Sequence, residues 1–220
     1  MITAVLLAVR QPLDGGSVIE RLALQLRSIG VDDLRVITRP EWAPSLESLP
    51  VTVLRSDSAA EDLRTVARLA VEGDGALLVG AGDVVTHGAA IEALLTDPRV
   101  ATGVLSAGDG VGRSGSYGIR TDRGRVLSVG SAYHSVSEPN NAFLGMVKVA
   151  PPERAALADV ADRLAAAQLP DGDDVPALLA VGLVRSGVHV NQSFLGQLYW
   201  ARPLSSAELE RASEEIAQVD

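Results

Sequence analysis

The chain has 220 residues, of which 47% are hydrophobic and 21% charged, with no low-complexity tract, so it folds into one large or two small globular units with a substantial core. It contains no cysteine, which excludes disulfides, thiolate zinc sites and cysteine nucleophiles and is compatible with the cytoplasm. A net charge of −9 argues against a nucleic-acid partner, because neutralising phosphates needs a basic face.

The first apolar run, Ile2 to Val9, has strand length and no basic flank, so it reads neither as a signal peptide nor as a membrane span. Gly15-Gly16-Ser17 leads into a helical pattern from Val18 to Gly30, and Leu34–Thr38 is a second strand. A proline-containing loop, Arg39 to Pro50, precedes a short strand at Val51–Leu54. Ser58 to Val71 is helical, with Ser58 or Asp57 as N-cap. Ala76–Gly80 is a buried strand ending at Gly82-Asp83, and His87–Leu95 is a helix stopped by Asp97-Pro98. Val100–Ser106 is a further strand.

After a glycine-rich stretch, Gly108 to Gly118, the segments Ile119–Thr121 and Arg125–Val129 flank Asp122-Arg123-Gly124 as a hairpin. Asn141–Val149 is a core strand, and Pro151-Pro152 opens a helix over Glu153–Ala167. Asp171–Asp174 forms a loop and N-cap before the helix Val175–Ser186, and Val188–Val190 is a short strand. The last helix, Ser205–Val219, begins with a serine-to-glutamate spacing, Ser205 to Glu208, that forms a capping box. The alternation predicts a three-layer α/β/α sandwich with a mixed, mainly parallel sheet and an antiparallel strand near Phe143–Val149. Without internal repeat or linker, residues 1–220 read as a single domain.

Asp83 is the strongest single candidate for a site, because it lies just past the carboxyl end of a buried strand, where open α/β sheets bind ligands. The same residue also suits a turn or the cap of the helix near His87. Tyr133, His134, Asn140 and Asn141 belong to the most polar strand-flanked segment, whose Asn and Ser residues also suit surface turns. His87 and His189 lack partner patterns and read as structural. Zinc spacing and Gly-x-Ser-x-Gly are both absent, and Gly108, Gly110 and Gly112 precede a strand rather than a helix, so they form no dinucleotide fingerprint.

Leu7-Ala8 and Gly16-Ser17-Val18-Ile19-Glu20-Arg21 resemble the two ends of a frame found in sugar-phosphate and alcohol-phosphate nucleotidyltransferases. There the strand ends in L-A, followed by G-x-G-T-R-L, a lysine and a G-x-P-L-I-E-R helix start. This chain has only Val9 to Gly15 between the two ends, without the G-x-G-T-R loop or its lysine. The family's G-D, a carboxylate on the catalytic Mg²⁺, is matched by Gly82-Asp83. The family's late W-x-D-I-D-T-P-E-D-L-E-R-A segment is matched in frame by Tyr199–Ala212, with Arg202 and Leu204 at its two aspartate positions. Phe143-Leu144-Gly145 and Tyr199–Ser205 are most similar to the cytidylyltransferase-like domains fused to actinobacterial CDP-alcohol phosphatidyltransferases of phospholipid biosynthesis.

The resemblance implies a nucleotidyltransferase-like (GT-A) fold and a ligand cleft. Arg10, Gly15 and Gly16 would contact a phosphate, and Tyr133, His134, Asn140 and Asn141 would line the acceptor side. Arg202 would stand beside Asp83 as its counter-ion. Three catalytic elements are missing: the loop, its lysine and the late carboxylate. This implies a degenerate transferase, a pseudoenzyme that binds a nucleotide or phospho-polyol, or that organises a C-terminal CDP-alcohol phosphatidyltransferase domain. No cofactor is then expected for the isolated domain. The alternative is an active cytidylyltransferase acting on a phospho-alcohol such as inositol phosphate, with Mg²⁺ on Asp83. In such fusions the last helix leads into a membrane-embedded domain, so the expected location is cytoplasmic or tethered at the inner membrane face.

Overall fold

In a computed structural model of the protein, residues 2–13, 17–108, 117–167, 174–194, 196 and 199–217 are described. The chain runs through β1 (Ile2–Ala8), α1 (Ser17–Ser28), β2 (Asp33–Thr38), β3 (Thr52–Arg55), α2 (Ala59–Glu72), β4 (Ala76–Ala81), β5 (Val85–Thr86), α3 (Gly88–Thr96) and β6 (Gly103–Ala107). It continues with β7 (Tyr117–Asp122), β8 (Arg125–Val129), β9 (Asn141–Val149), α4 (Arg154–Ala166), α5 (Val175–Arg185), β10 (Asn191–Phe194), β11 (Trp200–Ala201) and α6 (Ser206–Ala217).

Among the described residues these strands form a nine-stranded sheet in the order β3-β2-β1-β4-β9-β6-β10-β8-β7. Strands β3, β2, β1 and β4 are parallel neighbours, as are β6 and β10. The expected antiparallel strand is β9, which runs against β4, β6 and β7. A separate two-stranded ribbon pairs β11 with β5.

Alternation along each strand divides the apolar side chains between two layers. Ala4, Leu6 and Ala8 of β1 pack with α1, α3 and α6 on one face, while Val5 and Leu7 pack with α2, α4 and α5 on the other. The result is a three-layer α/β/α sandwich. Its strand β9 is buried along its whole length, so even Lys148, the only lysine, is inside. The Lys148 ammonium donates to Leu95 O (2.9 Å) and Val100 O (2.7 Å), which satisfies carbonyls at and just beyond the end of α3. Arg154 serves the end of α2 in the same way, through Leu69 O and Ala70 O.

Two details differ from the sequence pattern. Val188 and Val190 are buried but precede the strand, which is instead the polar Asn191–Phe194 segment, placed by its parallel pairing with Gly103–Ser106 of β6. The ribbon of Val85–Thr86 with Trp200–Ala201 is too short to leave an alternating pattern. No helix among the described residues is long and apolar enough to cross a membrane.

Candidate functional site

Strands β1 and β4 are parallel neighbours with Leu7 opposite Ala81, so the residues that follow them emerge side by side at the carboxyl edge of the sheet. Gly82 makes this proximity possible: its N–H donates to Leu7 O (2.9 Å), and a Cβ at this position would lie 2.4 Å from Ile19 Cδ1 and 3.0 Å from Leu7 O. Any larger residue there would have to displace Ile19 and crowd the Leu7 carbonyl, which glycine avoids. Arg10 and Asp83 therefore meet, with the Arg10 guanidinium donating to Asp83 Oδ2 at 3.0 Å.

A second arginine arrives from the far end of the chain. The β5–β11 ribbon pairs Val85 with Ala201 and Thr86 with Trp200, and Trp200 is only 2% exposed. That pairing carries Arg202 alongside Asp83. Arg202 Nε donates to Asp83 Oδ1 at 2.9 Å, and another of its guanidinium nitrogens donates to Oδ2 at 3.0 Å. The remaining terminal nitrogen of Arg202 donates to Asp174 Oδ2.

Asp174 is the functional residue that the sequence pattern does not single out. It is the N-cap of α5, where its Oδ1 accepts from the Ala177 N–H at 3.4 Å and Pro176 occupies the first turn. The acidic run before a proline-opened helix signals a cap, and that assignment is correct. Its second partner, Arg202, lies 28 residues away and leaves no local signal.

The outcome is a buried carboxylate–guanidinium–carboxylate bridge with Arg10 at its open end. The side chains of Arg202 and Asp174 are 4% and 1% exposed, against 24% for Asp83 and 39% for Arg10. Every carboxylate oxygen has an N–H donor. Burial alone would lower the Arg202 pKa, but the charges of Asp174 and then Asp83 outweigh it and hold the guanidinium above its already high range.

This bridge forms part of the wall of a cavity of about 460 Å³. The cavity is bounded by the segment after β1, the first turns of α1 and α5, and the stretch between β11 and α6. That last stretch is fixed by the capping box, in which the Glu208 N–H donates to Ser205 Oγ (3.3 Å) and Glu208 Oε2 accepts from the Leu204 N–H (2.8 Å).

Of the residues singled out from the sequence, Arg10, Asp83 and Arg202 come together here, while Gly15 and Gly16 lie outside the described residues. Tyr133, His134, Asn140 and Asn141 do not line the cavity, contrary to the expectation from the sequence. Instead, Asn140 and Asn141 brace the turn end of the β7–β8 hairpin, His134 reaches β8, and Tyr133 bonds within its own loop. Asn140 exchanges two bonds with the Thr121 backbone (both 2.9 Å), and Asn141 donates to Thr121 Oγ1 at 3.1 Å. His134 Nε2 lies 3.1 Å from Ser128 Oγ, and the Tyr133 N–H donates to Ser131 Oγ at 3.3 Å. Amides that complete strand pairing in this way have little capacity left for a ligand.

No protein-family model and no curated protein matches the sequence. Solved structures match over nearly the whole chain. The inositol-1-phosphate CTP transferase from T. maritima superposes with a TM-score of 0.72 at 10% identity, covering 99% of this chain and 96% of that one. CMP:2-keto-3-deoxy-manno-octonic acid synthetase complexed with CTP gives 0.64 at 18% identity, covering 99% and 98%. The CTP:phosphocholine cytidylyltransferase from Streptococcus pneumoniae gives 0.64 at 12% identity, covering 97% and 98%. At these identities the likeness establishes the fold, which is nucleotidyltransferase-like.

Proposed function

We propose that the domain is a degenerate nucleotidyltransferase-like module that binds a nucleotide or a phospho-polyol in the cavity beside Asp83 without transferring a nucleotidyl group. One observation carries this reading: Arg202 occupies the space between Asp83 and Asp174 with its own guanidinium. A resident Mg²⁺ needs hard oxygen ligands, and the four carboxylate oxygens here already accept N–H donors. A divalent ion on Asp83 would also sit against two fixed positive charges, so the donor set does not fit Mg²⁺. Fold likeness to cytidylyltransferases supports the choice of ligand class, and the cavity volume falls within the roughly 300–1,000 Å³ of small-molecule sites.

The wider role in this reading is to organise a CDP-alcohol phosphatidyltransferase domain of phospholipid synthesis at the inner membrane face. Its support is the sequence resemblance of Phe143–Gly145 and Tyr199–Ser205 to that group of fusions. Two measurements test the proposal. Calorimetric titration with CTP, other nucleotides and inositol phosphate is expected to give saturable binding for at least one of them. A pyrophosphate-release assay with CTP, inositol phosphate and Mg²⁺ is expected to stay at background. Mg²⁺-dependent release that Asp83→Ala abolishes would establish the active cytidylyltransferase instead.

A further inference from the structure

The charges around the cavity bear on which phosphate compound it admits, given that it binds a nucleotide or phospho-polyol at all. Among the described residues two arginines and two aspartates line it, and their formal charges cancel. Arg202 is spent, because its Nε and both terminal nitrogens donate to Asp83 or Asp174. Arg10 is different. It touches Asp83 through a single terminal nitrogen, and its side chain is 39% exposed at the cavity mouth. Among the described residues its other N–H groups have no protein acceptor, so it can present them as a fork to one phosphate.

The remaining wall is mainly apolar and includes Leu7, Val9, Pro12, Ile19, Val175 and Pro203. Such surfaces suit the flat faces of a nucleobase. A polyol presents hydroxyls all round, and each hydroxyl buried against proline or valine loses its hydrogen bond to water.

We propose that this cavity takes a nucleoside monophosphate without a divalent cation, its single phosphate on Arg10 and its base against the apolar wall. One phosphate monoester carries about −1.5 to −2 charge at pH 7, and Arg10 faces it directly. A triphosphate adds two further phosphates for which the described residues of the wall hold no further uncommitted cation, only Asp83 and Asp174. Arg202 substitutes internally for the cation that would otherwise hold those two carboxylates, so binding needs no added metal.

The test is calorimetric titration of the protein with AMP, CMP, GMP and UMP, with their triphosphates, and with inositol 1-phosphate, each in EDTA and in excess Mg²⁺. At least one monophosphate is expected to bind ten times more tightly than its own triphosphate and than inositol 1-phosphate, with the same Kd in EDTA as in Mg²⁺. Arg10→Ala is expected to weaken it roughly ten- to hundredfold, the worth of a charge-assisted hydrogen bond, while Arg10→Lys keeps part of the affinity. Since Asp83 retains Arg202, both variants stay folded. A triphosphate that binds more tightly in Mg²⁺, or an Arg10→Ala variant of unchanged affinity, would overturn the inference. Binding of inositol 1-phosphate alone would also overturn it, yet leave the broader proposed function standing. If no compound of the set binds, the proposed ligand-binding function fails as well.

Discussion

Replacing Arg202 with methionine keeps the aliphatic bulk of the side chain and removes the charge that joins Asp83 to Asp174. Asp174 then loses its cation while its side chain stays 1% exposed, retaining one long bond from Ala177 N–H (3.4 Å). Asp83 suffers less, because Arg10 still holds it at 3.0 Å and it is 24% exposed. Breaking a buried ion pair by removing one partner costs about 3–5 kcal/mol, and most of that cost is expected to fall on Asp174. For a chain of this size that corresponds to a fall in Tm of roughly 6–20 °C. Urea unfolding followed by tryptophan fluorescence measures it, with Trp200 buried two residues away as reporter. The control is Arg202→Met with Asp174→Asn, in which the amide keeps the helix-capping acceptor without the charge. It should regain more than half of the loss, whereas Arg202→Met with Asp83→Asn should regain less. A loss under about 1 kcal/mol in the single variant, the size of a surface pair, would refute the account of a buried bridge. So would equal rescue by the two asparagines.

Burial pushes the Lys148 ammonium below its ordinary value of 10.5, with Asp97 pulling the other way. The unfolded chain therefore holds more protons between the two values, so stability should rise with pH across that window and fall back as pH drops through the folded value. Denaturation of Lys148→Met should show a flatter alkaline profile and a loss of about 1–3 kcal/mol at neutral pH, from two stranded carbonyls. Ser205→Ala removes the side-chain acceptor of the Glu208 N–H, leaving only the Ser205 carbonyl, and should cost about 0.5–2 kcal/mol, seen as faster amide hydrogen exchange confined to the first turn of α6. Gly82→Ala places a methyl against Ile19 and the Leu7 carbonyl, and should cost roughly 1–3 kcal/mol with a loss of ligand affinity. Unchanged calorimetric binding in that variant would show that the approach of β1 to β4 does not shape the cavity.

The parts of the molecule governed by local periodicity were legible in the sequence. Strand β9, the proline-opened turn before α4 and the Ser205–Glu208 capping box stand within a residue or two of where their patterns put them. Asp83 and Arg10 were accessible to sequence reasoning because each follows an apolar strand, and parallel strands deliver such residues to one edge. Asp174 was not, because capping a helix already accounts for an aspartate before Val175-Pro176. Its second bond depends on a two-residue ribbon that no period marks. The Tyr133–Asn141 segment misled for a related reason. Polarity between strands is the same signal whether an amide faces a ligand or, like Asn140, pairs with a neighbouring backbone.

Asp83→Asn separates the two meanings a carboxylate at this edge can have. If Asp83 serves the ligand through a divalent cation, neutralising it removes a cation ligand and binding weakens. In the arrangement seen here its charge instead holds two guanidinium groups and opposes an incoming phosphate. The asparagine therefore leaves the cavity one unit more positive and frees Arg10 from its bond at 3.0 Å. Since Arg10 is 39% exposed, that bond is worth only about 0.2–1 kcal/mol, so monophosphate affinity should rise by no more than about fivefold. Stability should fall at the same time, because Arg202 keeps its charge and loses one of its two carboxylates. Titration and urea unfolding of the same preparation give both numbers. Tighter binding in a less stable protein is the signature of a carboxylate that restrains arginines, and weaker binding, restored by Mg²⁺ in the wild type alone, would return Asp83 to the role of a metal ligand.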